Sequence, residues 1–207
     1  MKKLVLIISI LLIVASISQV TFAKGSVSVR AGYEGFPLGI LFNAFNCGVS
    51  ADFYVTDNFS LMGAFNLSII PEIGNLYYAN LFTRYDLLRN DSIRVGVQFG
   101  WISNIPSRKL VDTIFNFIGP GVYMDLKVAP KFNIHADIRL PMASFVFYSS
   151  SIPFIFYYYF DMSFGATYSV NSNIDVGLDI AGTNCNYLMR SQQAVDFSIC
   201  AKATYKF

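Results

Sequence analysis

The one histidine of this 207-residue chain is the natural place to look for chemistry. His135 stands in Asn133-Ile134-His135-Ala136-Asp137-Ile138-Arg139, where every second residue is polar. In an extended segment that spacing puts Asn133, His135, Asp137 and Arg139 on one face. An imidazole beside a carboxylate can act as a general base, but the pair still needs a nucleophile. A polar hydrogen-bond and ion-pair cluster that also takes in Arg84, Arg94 and Asp125 explains the same residues without a reaction. That is the reading adopted: no catalytic residue, no enzyme activity and no cofactor are expected. The cysteines, Cys47, Cys185 and Cys200, are odd in number and lack metal-ligand spacing, so no metal is expected either. Cys47 and Cys185 are the one pair an oxidising compartment could join. Unpaired thiols are the simpler expectation.

The segments that carry these residues alternate apolar and polar side chains with period two, the signature of half-buried strands. Ten such strands are predicted: Ser26 to Glu34, Phe45 to Val55, Phe59 to Ile69, Leu76 to Leu87, Ile93 to Trp101, Ile114 to Lys127, Phe132 to Leu140, Phe154 to Val170, Ile174 to Ala181 and Ala194 to Phe207. Asn116 and Pro120 interrupt the sixth, and Pro120 is expected to mark a bulge. Connections alternate between long and short. Thr56-Asp57-Asn58, Arg89-Asn90-Asp91, Ala129-Pro130-Lys131 and Asn171-Ser172-Asn173 are tight turns. Gly35 to Ala44, Ile102 to Thr113, Pro141 to Pro153 and Gly182 to Gln193 are the longer loops.

Composition says what surrounds these strands. Hydrophobic residues make up 54 % and charged residues only 14 %, where a soluble domain usually carries about 25 % charge. Lys2 and Lys3, the apolar run Leu4 to Val14, and Thr21-Phe22-Ala23 read as a secretory signal peptide, residues 1–23, cut after Ala23. Residues 24–207 then hold 13 basic and 13 acidic side chains and no basic patch, which argues against nucleic acid as a partner. No apolar run after Ala23 is long enough for a membrane helix, so any membrane crossing falls to the strands.

The position of charge is the sharper test. Ten of these charged residues fall in connections or the segment before the first strand. The other sixteen, from Arg30 and Glu34 in the first strand to Lys202 and Lys206 in the last, all fall on the face opposite the apolar one. A Lys or Arg on the apolar face would cost roughly 2–4 kcal/mol at the middle of a bilayer. Aromatic residues of the apolar face gather near strand ends. Phe53, Phe59, Tyr85, Phe132, Tyr168, Tyr205 and Phe207 form one girdle; Tyr33, Tyr77, Trp101 and Tyr158 form the other.

Signal segment, strand plan, girdles and the terminal Tyr205-Lys206-Phe207 together resemble the small bacterial outer-membrane β-barrels, the porin-family and opacity-type proteins. The resemblance implies an all-β, antiparallel, up-and-down transmembrane barrel of ten strands, with eight as the runner-up, spanning residues 24–207. It implies a location in the bacterial outer membrane and outer-membrane lipid as a partner. It further implies insertion by the barrel-assembly machinery with Tyr205 and Phe207 as the signal, and a monomer. Porin-like or structural roles, with passage or binding of a small solute, come first; a surface adhesin is the alternative. A lipid-modifying enzyme is third, because barrel lipid A deacylases use His-x-Ser and Asp137 stands at the serine position.

One further group singles itself out. Tyr78, Phe82, Phe115, Phe117, Tyr157 and Tyr159 fall on the inner face, toward the outer ends of their strands. They either line a vestibule for a small apolar solute or fill the lumen and pack the loops.

Overall fold

The computed structural model describes residues 24–35, 43–71, 74–106, 113–140, 143–148, 158–187 and 192–207. The predicted signal segment lies outside them. Eleven strands follow in chain order: β1 (Gly25–Gly35), β2 (Asn43–Tyr54), β3 (Phe59–Ile70), β4 (Gly74–Arg89), β5 (Ile93–Pro106), β6 (Thr113–Ala129), β7 (Phe132–Arg139), β8 (Ala143–Tyr148), β9 (Tyr158–Ser169), β10 (Ile174–Tyr187) and β11 (Gln192–Lys206). Strands β1 to β7 pair antiparallel in chain order, β7 pairs with β9, β9 with β10, β10 with β11, and β11 closes onto β1. Both β7 and β8 lie against β6, β7 along its second half (Gly121 to Ala129) and β8 along its first (Thr113 to Ile118), so they form one stave. The wall is therefore a closed ring of ten staves, which excludes the eight-strand alternative.

Closure gives the staves hydrogen-bonded neighbours on both sides, as lipid requires, with β8 paired on its β6 side among the described residues. At the seam Ser26 stands opposite Lys206 and Tyr33 opposite Ile199. Phe207 extends the seam by exchanging backbone hydrogen bonds with Gly25, at 3.0 and 3.1 Å. The short turns are fixed by their own side chains. Asn90 Oδ1 accepts from the amides of Ser92 and Ile93, and Asn171 Oδ1 from those of Asn173 and Ile174, all at 2.9 Å. At the other end, the β3–β4 hairpin needs Gly74, whose φ of 143° suits glycine.

The alternation holds throughout. Leu81, Phe99, Phe164, Leu178 and Tyr205 are among the large apolar side chains more than half exposed, and all lie on the face expected to meet lipid. Polar residues on that face are satisfied locally. Thr83 Oγ1 donates to the carbonyl of Phe99 at 3.0 Å, and the Trp101 indole donates to Asn116 Oδ1 at 3.0 Å.

Four expectations need correction. Residues 143–148, expected within a loop, form β8 against β6. β5 continues to Pro106 and β10 to Tyr187, through segments expected to be loop. Val170, expected to end the strand of β9, already belongs to the turn, its amide bonding to Ile174 O at 2.9 Å; the expected start of that strand, Phe154, lies outside the described residues. Pro120 does not break the β5–β6 ladder, where it stands opposite Phe99. The ladder shifts lie at Asp86/Leu88 and Lys127/Ala129. On the other side of β6 the register changes by one between Gly121↔Arg139 and Ile118↔Ala143, the position where a residue without an N–H is tolerated.

Candidate functional site in the barrel lumen

Inward residues meet across the lumen wall by passing over glycines. Gln98, Gly121 and Arg139 stand in one row on three successive strands, as do Asp86, Gly96 and Tyr123. Without a side chain between them, the outer two members of each row can reach one another's partners. Tyr123 donates its hydroxyl to Asp86 across Gly96. Arg30 Nε reaches Asn66 Oδ1 at 2.8 Å across Gly48. His135 Nε2 reaches Asp179 Oδ1 at 2.9 Å across Gly165. A Cβ on Gly165 would collide with the imidazole of His135 and the carboxylate of Asp179.

The middle and periplasmic part of the lumen is an ion-pair network. Asp137, buried, takes Arg84 Nη2 and Gln98 Nε2 at 2.5 Å each and Arg139 Nε at 3.1 Å. Arg84 also donates to Gln98 Oε1 at 3.0 Å and lies 3.7 Å from Asp52. Arg139 continues to Asp161 at 3.1 Å and rests over the Phe82 ring at 4.8 Å. Nearer the periplasmic mouth, Arg94 holds Asp86 at 2.7 Å and Asp125 at 3.5 Å. The Tyr123 ring sits between Arg84 and Arg94, with guanidinium carbons 4.8 and 4.9 Å from its centroid. Lys202 joins Asp179 at 3.4 Å, and Lys206 holds Asp175 at 2.7 Å.

The six residues singled out for a polar cluster, Arg84, Arg94, Asp125, His135, Asp137 and Arg139, all line the lumen cavity. His135 and Asp137 share a face and do not pair. His135 turns to Asp179 on β10 and Asp137 to the arginines, because the open path over Gly165 and the two guanidiniums offer better partners than a neighbour two residues along the same strand. The inward glycines that make these contacts possible are the functional residues that hydrophobic alternation does not flag. Their signal in the sequence is position: each falls in the inward register beside a large polar residue of the next strand.

The outer part is built differently. Glu34, 3 % exposed, accepts from Asn46 Nδ2 at 2.9 Å, from the Ser68 hydroxyl, and from the Tyr78 hydroxyl at 3.1 Å. Phe82, Ile102 and Phe117 are buried on β4, β5 and β6. Of the six aromatic residues singled out above, Tyr78 lines the lumen cavity, while Phe82 and Phe117 are packed into the wall at 1 % exposure. Phe115 and Tyr159 are placed by their backbone on β6 and β9; their side chains, and Tyr157, lie outside the described residues. Cys47 and Cys200 are free thiols, Cys200 buried in the lumen. Tyr205 stacks on Phe207 at 6.3 Å, and Phe207 lies 6.1 Å from Phe53, forming part of the periplasmic girdle.

One cavity of about 670 Å³ runs through the lumen. Residues of the periplasmic mouth (Lys24, Asn90, Lys206) and of the outer end (Glu34, Tyr78, Asn80) both line it. At roughly 30 Å³ per water it holds on the order of twenty waters. Spread along a hydrocarbon core of about 30 Å, that is a narrow aqueous thread.

No protein-family model and no curated protein sequence matches this chain. Among solved structures, the chain is similar to the outer membrane protease OmpT from Escherichia coli. The TM-score is 0.61 at 10 % identity, over 89 % of this chain and 96 % of that one. It is also similar to an outer membrane channel from Pseudomonas putida F1, with a TM-score of 0.50 at 9 % identity, over 89 % of this chain and 94 % of that one. The fold is that of outer-membrane β-barrels. One neighbour is a protease and the other a channel, so the fold by itself assigns no activity.

Proposed function

We propose that this chain is an outer-membrane barrel of porin-like type whose narrow lumen passes ions and small polar solutes. The supporting observation is the lumen cavity of about 670 Å³, lined from Lys24 and Lys206 at one end to Glu34 and Tyr78 toward the other, with walls of paired charge. The mixed signs argue for weak ion selectivity, and the small volume for low conductance. The apolar exterior and its girdles support residence in the outer membrane as a monomer, delivered by the signal segment and inserted through the barrel-assembly machinery with Tyr205 and Phe207 at the recognised end. A structural role without passage is the competing reading of the same wall. Single-channel recording of the refolded protein in planar bilayers separates the two. Passage predicts small, ohmic openings; a silent membrane containing folded protein overturns it.

A further inference from the structure

The lumen carboxylates are not equivalent. Asp52, Asp86, Asp125, Asp137, Asp161, Asp175 and Asp179 each lie within 4.0 Å of an arginine, lysine or histidine nitrogen. Glu34 has no cation at that distance among the described residues. Its donors are an amide and two hydroxyls, all neutral. Arg30, the cation nearest along β1, is turned onto Asn66.

Unused acceptors gather at the same level. Asn80 Oδ1 and Asn104 Oδ1 are buried and accept no hydrogen bond among the described residues. Asn80 is two residues from Tyr78 on the same strand and face, and Asn104 stands opposite Tyr78 in the β4–β5 ladder. Tyr78 itself bonds to Glu34. Glu34, Asn80, Tyr78 and Ile102 all line the cavity. Buried acceptors without donors are costly, about 1–3 kcal/mol each, unless water or a ligand supplies the donor.

We propose that the outer end of the lumen is a binding site for a small organic cation bearing a primary ammonium group. The ammonium supplies the positive charge that Glu34 lacks. Its three N–H donors match the Glu34 carboxylate and the open amide oxygen of Asn80. A short alkyl chain lies against Ile102. An anion is disfavoured by Glu34, and an uncharged alcohol supplies a donor without the charge. The site deepens the passage reading and rests on it, as the place where a solute pauses before the narrow ion-paired section.

The test uses the refolded full-length barrel in detergent micelles, checked for folding by heat-modifiable gel migration. n-Butylammonium is the probe, 1-butanol its uncharged counterpart, and binding is read by saturation-transfer NMR and calorimetry. Saturable binding of butylammonium, weakened at least tenfold in Glu34→Gln and weakened in Asn80→Ala, is expected, with no saturable binding of 1-butanol. Equal binding of 1-butanol overturns the proposal and favours the apolar vestibule of the outer aromatic residues. Unchanged butylammonium affinity in folded Glu34→Gln and Asn80→Ala overturns it as well, as does the absence of any binding. Planar-bilayer recording keeps the two readings apart. Conductance without amine binding removes the site and leaves the passage; amine binding by a silent barrel removes the passage and leaves the site.

Discussion

The two ends of the lumen solve the same problem by different means. Both must place polar side chains inside a closed wall with little water. The middle and periplasmic section does so with full charges in fixed pairs, such as Arg84 with Asp137, Arg94 with Asp86 and Lys206 with Asp175. The outer section uses neutral donors around Glu34, from Asn46, Ser68 and Tyr78. Both sections hold buried acceptors without a hydrogen bond among the described residues, but those of the inner section (Asp52, Asp175 and Asp179) belong to carboxylates that already have a cation, and those of the outer section (Asn80 and Asn104) do not. The difference assigns rigidity and narrowness to the inner section and solute contact to the outer one.

Removing a guanidinium should break this contrast most strongly. Arg84→Ala strips Asp137, Gln98 and Asp52 of a shared donor and takes one of the two cations from the Tyr123 ring. Breaking a buried pair from one side costs about 3–5 kcal/mol, and the partial exposure of the Arg84 side chain places this case at the low end, about 3 kcal/mol. The midpoint of urea unfolding in lipid vesicles measures the loss. The vacated space should also raise single-channel conductance. An unchanged midpoint would mean the inner network is ornament rather than frame.

Much of this could be read from residue order, and the part that could not has a physical reason. Lipid enforces alternation, so Val195-Asp196-Phe197-Ser198-Ile199 declares its faces at once. Sixteen charges on one face imply a polar lumen for the same reason. The signal stops where the lipid stops, yet the ladder continues. Ser103 and Asn104 on β5, and Asn184 and Asn186 on β10, pair through their backbones. At that height alternation carries no advantage, so those stretches read as loops. Pairing inside the lumen is hidden for another reason. Period two names the residues that share a face, whereas the partner of His135 is decided by Gly165, a residue with no side chain to read. Glu34 belongs to the legible face, but its lack of a cation depends on which strands flank β1 and at what register.

Glycine substitutions sharpen the contrast with a smaller effect. Gly165→Ala puts a methyl group into His135 and Asp179. Overpacking of this kind costs about 1–3 kcal/mol, and here it should also separate the imidazole from its carboxylate. Gly35, at the outer end of β1, has nothing within 4 Å of the position a Cβ would take. Gly35→Ala should stay within about 0.5 kcal/mol of the parent, as surface changes do. Parallel unfolding curves of the two variants check the ordering. Equal destabilisation would show that the outer section is as tightly built as the inner.

The smallest and most discriminating difference is between two carboxylates changed in the same way. Asp137→Asn leaves Arg84 and Arg139 facing an amide that cannot neutralise them, and hydrogen bonds to charged groups are worth about 1.5–3 kcal/mol. Glu34→Gln removes a charge that no cation among the described residues was compensating; the one amide oxygen can still accept from Asn46 and Ser68, while the new NH2 donates to the Tyr78 hydroxyl oxygen. Its cost should stay under about 1 kcal/mol, in the range of a neutral hydrogen bond. The sign of the permeation effect follows from the same bookkeeping of charge. Asp137→Asn leaves excess positive charge in the narrow section and should shift selectivity toward anions. Glu34→Gln removes uncompensated negative charge at the entrance and should lower cation preference, most visibly at low salt where screening is weak. Reversal potentials under a salt gradient read both shifts. If Glu34→Gln proves the more destabilising of the two, then Glu34 is a structural anchor of the outer section, and the division of the lumen into a frame and a solute-contacting end fails.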